Sequence, residues 1–200
     1  MSETKVLADR ILPVEGVAAD AVRIVAATIL LALCAHIVIP LPWTPVPITG
    51  QTFGVLLIAV LLGARRGALA VILYLIEGAA GLPVFQPLGA PGVLRFAGPT
   101  SGYLMSYPFA AYVTGWMSAR ASSAASHLTA AVRAGLLAGA LIAGEIVIFF
   151  GGCAWLASGL HLGWRQAVTL GALPFLPGEL IKMALILAAV GGVEIFRHRD

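Results

Sequence analysis

The sequence predicts an all-α membrane protein with six transmembrane helices in a single domain. Of its 200 residues, 60% are hydrophobic and only 10% are charged, whereas a soluble domain carries about 25% charged residues. The mean hydropathy of +0.99 also excludes a disordered chain, which would be polar and poor in aliphatic residues. Because a spanning helix needs about 20 apolar residues, this length allows roughly five to seven spans and no soluble domain.

The first predicted helix covers residues 22–39. A cluster of four prolines between Pro40 and Pro47 ends it, because proline lacks an amide hydrogen and fixes φ. The acidic segment 1–21 lacks the apolar core of a cleaved signal peptide. We therefore expect a cytoplasmic N-terminal segment followed by a six-helix bundle over about 22–196.

Two short helices are predicted next, over 51–62 and 68–76, joined by the segment GARRG. Thr49 is a candidate N-cap of the first. Neither helix alone has the length of a full span, so each must extend, tilt or shelter its ends against the bundle. Together they predict a helical hairpin.

Residues 82–100 are rich in proline and glycine, which predicts a long irregular loop. Irregular backbone in a membrane protein usually covers or lines a cavity. Three further helices are predicted over 103–117, 132–156 and 177–196, which brings the count to six.

The distribution of positive charge supports this count and orients the chain, because Lys and Arg concentrate in cytoplasmic loops. An even number of spans places both termini on one side. With the termini in the cytoplasm, nine of the twelve cations lie inside. These nine are Lys5, Arg10, Arg23, Arg65, Arg66, Arg120, Arg133, Arg197 and Arg199. The three left outside are Arg95, Arg165 and Lys182.

The last predicted helix opens with PGELIK, which places Glu179 and Lys182 three residues apart on one face. An acid in the first turn suits the helix dipole. A lysine there costs a few kcal/mol unless it pairs, snorkels or meets a ligand. The pattern therefore leaves two interpretations: a lysine that snorkels to the outer interface, or a polar pair that lines a pocket open to the outside.

Other polar side chains gather at the predicted outer ends of the helices. Gln51 and Thr52 open the second helix, and Thr100 and Tyr103 lie where the fourth begins. Arg95, in the outer loop, suits a carboxylate ligand as well as solvent or a lipid headgroup. An aromatic belt at the membrane interface would produce part of this pattern without any ligand.

Catalytic and metal-ligand patterns are missing from the sequence, so we expect no enzyme activity, no metal and no cofactor. Glu77 and Glu145 lie at membrane depth, where a carboxyl is either functional or neutralised. Ser101 is a weak candidate nucleophile, because no histidine is placed to activate it. Cys34 and Cys153 lie in apolar runs, where a thiol packs as a small hydrophobe.

Four segments together resemble the BioY family, the biotin-specific substrate-binding components (S components) of energy-coupling factor (ECF) transporters. They are IPLPWTPVPITGQTF at 39–53, LGARRGALAVILYLIEGAAGLPVF at 62–85, GPTSGYLMSYPFAAYVTGW at 98–116 and PGELIK at 177–182. The motifs PVPIT-x-QT, GLPVF and GPTxGYL occur in this order and spacing. The resemblance covers the chain from about residue 25 to the last helix.

The resemblance implies that biotin is captured from outside in a pocket near the extracellular face, by a multi-pass protein of the bacterial cytoplasmic (inner) membrane. It also implies a transmembrane coupling protein and a pair of ABC-type ATPases as partners, which would supply ATP hydrolysis. Two alternatives stay open: an S component for another vitamin such as thiamine or riboflavin, and a solo biotin transporter. A homo-oligomer is left open, lipid is the surrounding medium, and no nucleic-acid partner is expected.

The resemblance also assigns site residues. Its acid-x-x-Lys motif falls on Glu179, which would accept from a ureido N–H of biotin, and on Lys182, which would donate to an oxygen. The family frequently has aspartate at the first position, so the acceptor here is one methylene longer. Arg95 would pair with the biotin carboxylate. The remaining wall and lid would be formed by Gln51, Thr52, Thr100, Tyr103, Val84 and Phe85. A small-residue ladder on the first helix would contact the coupling protein through Ala27, Thr28, Ala32 and Ala35.

Overall fold

A computed structural model describes residues 16–123 and 128–197. These two ranges form six α-helices, one short 3₁₀ helix and one pair of two-residue strands. The predictions for segment 1–15, including the cytoplasmic charges Lys5 and Arg10, lie outside the described residues, as does Arg199.

The first helix, α1 (Val17–His36), begins and ends earlier than the predicted range of 22–39. Its predicted last residues instead form β1 (Val38–Ile39), which pairs antiparallel with β2 (Ile48–Thr49). Proline disfavours the helical conformation of the residue before it, and Pro40 directly follows β1. The proline cluster therefore ends the helix and also sets the short strand pair.

The second element, α2 (Gln51–Ala79), is a helical hairpin that reverses at Gly63, where φ is 76° and ψ is −175°. Gln51 Nε2 donates to Tyr74 Oη over 2.8 Å, although a straight helix would place these residues about 35 Å apart. The predicted hairpin is present. Its turn is the single residue Gly63 rather than the whole GARRG segment, because the backbone there is of a kind that essentially only glycine adopts.

The loop after α2 contains a short 3₁₀ helix (Gly92–Ala97) and leads to α3 (Ser101–Ser123) and α4 (Ala130–Ser158). Both helices extend beyond their predicted ends. The polar end of α3 stays helical because its side chains find local partners: the Ser118 hydroxyl donates to Gly115 O over 3.2 Å, and Arg120 stacks on Trp116.

A short helix that the sequence did not predict, α5 (Trp164–Gly171), precedes the last helix, α6 (Leu176–Arg197). The two helices bend by 52° at the break between them. The apolar residues of α5 lie on one face. They do not form the long uninterrupted apolar run from which a transmembrane helix is predicted.

Among the described residues, three helices are long and apolar enough to cross a membrane, namely α1, α2 and α4. The bent pair of α5 and α6 makes a fourth when it is taken as one span. By length and hydropathy α2 counts as one helix, although it folds back on itself. Helix α3 is not among these candidates, because its many polar and aromatic residues lower its hydropathy. The chain is a mostly helical, multi-pass membrane protein.

Close helix packing places the site between α2, α3, α4 and α6. Gly102 of α3 lies against the backbone of Gly151 on α4, and Gly115 of α3 lies against the hairpin turn. At the opposite end of the bundle, Asp20 of α1 accepts from Arg23 over 2.9 Å and pairs with Arg66 of α2 over 3.1 Å. These contacts hold α1, α2, α3 and α4 together, and the start of α6 lies against α2.

Candidate ligand-binding site

A polar network joins the first turn of α6 to the start of α2. The Lys182 ammonium donates to Glu179 Oε1 over 2.7 Å, to Thr52 Oγ1 over 2.8 Å and to the carbonyl of Thr49 over 2.7 Å. The Thr52 hydroxyl in turn donates to Glu179 Oε2 over 2.7 Å. All three ammonium protons are engaged inside the protein, so the geometry favours the polar pair over a lysine that snorkels to the interface.

A cavity of about 40 Å³, which we call the Glu179 cavity, adjoins this network. Five predicted site residues line it: Gln51, Thr52, Thr100, Tyr103 and Glu179. Sequence reasoning missed the rest of the lining, which is mostly apolar and aromatic. These further residues are Val46, Pro47, Thr49, Leu104, Tyr107, Ile148, Phe149 and Phe175. Phe175 and the proline-rich segment are close to recognised motifs, whereas Ile148 and Phe149 carry no sequence signal that separates them from helix packing.

Hydroxyl and amide groups in and behind the wall of the Glu179 cavity are fixed by hydrogen bonds within the protein. The Gln51 side-chain amide donates to Tyr74 Oη over 2.8 Å, and the Tyr74 hydroxyl donates to the carbonyl of Val84 over 3.1 Å. The Tyr103 hydroxyl donates to the carbonyl of Gly171 at the end of α5. These bonds tie the loop after α2, and the end of α5, to the helices that form the cavity.

Arg95 is buried, with 5% of its surface exposed, rather than free in an open loop. Its guanidinium donates to the carbonyls of Leu88 and Gln86, and it lies 5.9 Å from the ring centroid of Phe85. Burial lowers the pKa of the Arg95 guanidinium from its ordinary value. Among the described residues its Nε finds no hydrogen-bond partner. The side chain therefore holds the loop together and keeps one buried donor unused.

Arg95 and Thr100 line a second cavity of about 190 Å³, which we call the Arg95 cavity, between the proline-rich segment and the loop after α2. The two cavities share Pro47 and Thr100 in their linings. Val84 and Phe85, which were expected in the wall, line neither cavity. Phe85 instead packs edge-on against Tyr74 at 5.4 Å and against Phe96 at 5.9 Å, behind the Arg95 side chain.

The predicted ladder for coupling-protein contact faces the interior of the bundle. Ala27, Thr28 and Ala35 are buried, and only Ala32 is partly exposed. The Thr28 hydroxyl donates to Glu77 Oε1 of α2 over 3.2 Å. This packing argues against an exposed docking face at these residues, and coupling-protein contact through them stays a prediction.

The two acids at membrane depth have different surroundings. Glu77 has the Thr28 hydroxyl as a donor. Glu145 is buried in α4, and among the described residues neither of its carboxyl oxygens has a hydrogen-bond partner. Among the described residues, no three His, Cys, Asp or Glu side chains lie close enough together to hold a metal ion.

Comparison with known proteins identifies close similarity over nearly the whole chain. The model of the BioY family matches residues 4–198. A protein of Rhizobium etli named biotin transporter BioY is 40% identical over 166 residues, which is 82% of this chain and 86% of the relative. The biotin transporter BioY of Thermotoga maritima is 36% identical over 173 residues, 85% of this chain and 94% of the relative.

The fold is similar to that in a crystal structure, at 2.1 Å, of the S-component for biotin from an ECF-type ABC transporter. The TM-score is 0.75, and the match covers 90% of this chain and 95% of the other. Sequence identity over this match is 23%, so the likeness concerns the fold.

Proposed function

This chain belongs to the BioY family, and from that premise we propose that it binds biotin and serves as the substrate-specific component in biotin uptake. The observation that carries the proposal is the network of Glu179, Lys182 and Thr52 beside a cavity with apolar and aromatic walls. Pockets for small molecules are typically apolar with a few well-placed polar groups. A transport component, rather than an enzyme, is what family membership supports.

The chemistry of biotin matches the two cavities. Its ureido ring carries two N–H donors and one carbonyl, its thioether ring is apolar, and its valerate chain ends in a carboxylate. We assign the rings to the Glu179 cavity, where the carboxylate of Glu179 accepts a ureido N–H. The protons of Thr52 and Lys182 are already donated within the network, so one of these two donors exchanges its present acceptor for an oxygen of the ligand when biotin enters. Because the cavities share Pro47 and Thr100, the valerate chain extends toward Arg95, whose unused Nε suits a carboxylate.

Ligand entry requires the covering loops to move. The Glu179 cavity, at about 40 Å³, has room for only a few water molecules, whereas small-molecule pockets are typically about 300 Å³ or larger. The proline-rich loop is held over the site by the Thr44 hydroxyl, which donates to the carbonyl of Leu170 over 2.7 Å. We propose that release of this loop and of the loop after α2 opens the two cavities into one pocket.

We propose six spans with both termini in the cytoplasm of a bacterial cell and the protein in the cytoplasmic (inner) membrane. The reversal of α2 at Gly63 supports counting its two arms as separate spans. Arg65 and Arg66 at that turn, with Arg23 nearby, fit a cytoplasmic end. The two cavities then lie at the opposite, extracellular end.

A coupling protein and a pair of ABC-type ATPases are the proposed partners. The absence of any nucleotide-binding motif from the sequence fits ATP hydrolysis by other subunits. The alternative, a solo transporter, differs in a measurable way: uptake by cells that express this chain alone would persist without the partner genes.

Calorimetric titration of the purified protein in detergent tests the proposed ligand. Biotin and desthiobiotin are expected to bind, and thiamine and riboflavin are expected to give no heat. Desthiobiotin keeps the ureido ring and the carboxylate but lacks the thioether, so it probes the polar contacts separately. Absence of biotin binding in folded protein would overturn the proposal, and saturable binding of thiamine or riboflavin instead would assign a different vitamin.

A further inference from the structure

Glu145 is a buried acid that the proposed ligand contacts do not use. It lies in the middle of α4, one helical turn from Ile148 and Phe149, which line the Glu179 cavity. Only 5% of its surface is exposed, and among the described residues both carboxyl oxygens lack a hydrogen-bond partner. Buried polar groups are almost always satisfied, so this carboxyl requires an explanation.

Among the described residues, one acid and one cation act on Glu145. The Glu179 carboxyl of α6 lies beside it, although no hydrogen bond of ordinary geometry joins the two, and Lys182 of α6 also acts on it electrostatically. Tyr107 is the titratable group that faces it from α3. The Lys182 ammonium already donates its three protons to Glu179, Thr52 and the carbonyl of Thr49. The single cation is thus committed to Glu179.

The other neighbouring elements bring no compensating charge. One residue from Glu145, Gly144 packs against Leu56 of α2 and Thr114 of α3. The short helix α5 meets α4 about two turns away, where the Cys153 thiol faces the carbonyl of Ala167. Around Glu145, therefore, no described group stands ready to balance a second negative charge.

An ionised carboxylate without a partner costs several kcal/mol in a protein interior, and a group in that position keeps its proton instead. We propose that Glu145 is a proton-binding site beneath the Glu179 cavity, and that the ligand binds to the form of the protein in which Glu145 carries its proton. This inference rests on the proposed function, because it takes the Glu179 cavity as the ligand site.

The link between proton and ligand has a direct physical cause. A ligand that fills the cavity displaces the water that could solvate an ionised carboxylate one helical turn below it. An ionised Glu145 would also draw Lys182 away from Glu179, which disturbs the pair that meets the ligand. Both effects make binding weaker when Glu145 loses its proton.

Infrared difference spectroscopy tests the resting protonation state. The ligand-free protein at neutral pH is expected to show the C=O stretching band of a protonated carboxylic acid. Glu145→Gln, which keeps the shape and removes the titration, is expected to lose that band. A band that is missing from the wild type, or that persists in full in Glu145→Gln, overturns the assignment.

Biotin affinity measured against pH tests the linkage. Above the midpoint of the Glu145 titration, the wild-type dissociation constant is expected to rise about tenfold per pH unit, as for any binding event that requires one bound proton. In Glu145→Gln this dependence is expected to vanish while binding persists. Glu77→Gln is the matched control, since Glu77 also lies at membrane depth but has a hydroxyl donor, and it is expected to keep the wild-type profile.

The outcomes separate this inference from the proposed function. A pH-independent wild-type affinity, or the same pH dependence in Glu145→Gln, overturns the proton site and leaves biotin binding intact. Absence of biotin binding at every pH overturns the proposed function. The infrared band does not depend on ligand and would still decide the resting protonation state.

Discussion

At the scale of single residues, Lys182 connects three structural elements through one ammonium group. It neutralises Glu179, donates to the Thr52 hydroxyl and satisfies the carbonyl of Thr49. Lys182→Ala is expected to weaken biotin binding by more than ~1.5 kcal/mol, because it leaves a buried carboxylate without its cation. Isothermal calorimetry on the detergent-purified variant measures this loss.

The control for that experiment is Arg165→Ala, which removes an exposed cation on the same predicted side of the membrane. It is expected to bind biotin as the wild type does. Unchanged affinity in a folded Lys182→Ala protein would contradict the assigned role and would return Lys182 to a purely structural one.

Arg95 gives a prediction about the other end of the ligand. Arg95→Ala is expected to reduce the preference for biotin over biotin amide, because only free biotin carries the carboxylate that the guanidinium would meet. The affinity for both ligands is also expected to fall somewhat, since Arg95 holds the carbonyls of Leu88 and Gln86 in place. Competition titrations with the two ligands measure the ratio, and an unchanged ratio would show that Arg95 acts on the loop alone.

Local spacing predicted some of these contacts and could not predict others. The pairing of Glu179 with Lys182 follows from three-residue spacing on a helix. The contact between Thr52 and Glu179 joins residues far apart in the chain and depends on how α6 packs on α2. The burial of Arg95 depends on where two loop carbonyls point, which no periodicity in the sequence encodes.

At the scale of elements, the reversal of α2 rests on one glycine. Gly63 has φ 76° and ψ −175°, a conformation in which any side chain is strained. Gly63→Ala is expected to destabilise the protein by more than about 1 kcal/mol and to lower its unfolding temperature in detergent. Gly139→Ala is the matched control: Gly139 is helical, a Cβ there would meet nothing within 4 Å, and alanine is the better helix former. Equal unfolding temperatures for the two variants would contradict this role of Gly63.

Apolar runs and helix breakers predicted the long helices and the hairpin because both depend on local composition. The ends of the helices and the whole of α5 depend instead on tertiary contacts. β1 forms because Val38 and Ile39 find a partner strand at Ile48 and Thr49, which is a tertiary contact. α5 is short and amphipathic, with Ala167 buried and Trp164 exposed, so its stability comes from packing on α4 rather than from a hydrophobic run.

At the scale of the whole molecule, the proposed topology has to accommodate two short arms. Residues 51–62 and 64–79 are about 18 and 24 Å long as helices, less than the roughly 30 Å hydrocarbon core of a bilayer. The hairpin turn therefore meets the cytoplasmic interface only if the bilayer thins locally or flanking side chains reach out to it. Arg65 is exposed at the turn and is a side chain that can reach toward this interface. Arg66, beside it, is paired with Asp20 of α1.

Single-cysteine labelling tests this arrangement in cells. Starting from a variant in which the buried Cys34 and Cys153 are replaced by alanine, Trp43→Cys and Ser158→Cys are expected to react with a membrane-impermeant maleimide on intact cells. Arg65→Cys is expected to react only after the membrane is permeabilised, because the hairpin would place it inside. Labelling of Arg65→Cys from outside would show that the hairpin does not cross, and protection of Ser158→Cys on intact cells would remove one of the six spans. Arg65 is one of several cations on the proposed cytoplasmic side, so its replacement is not expected to invert the protein.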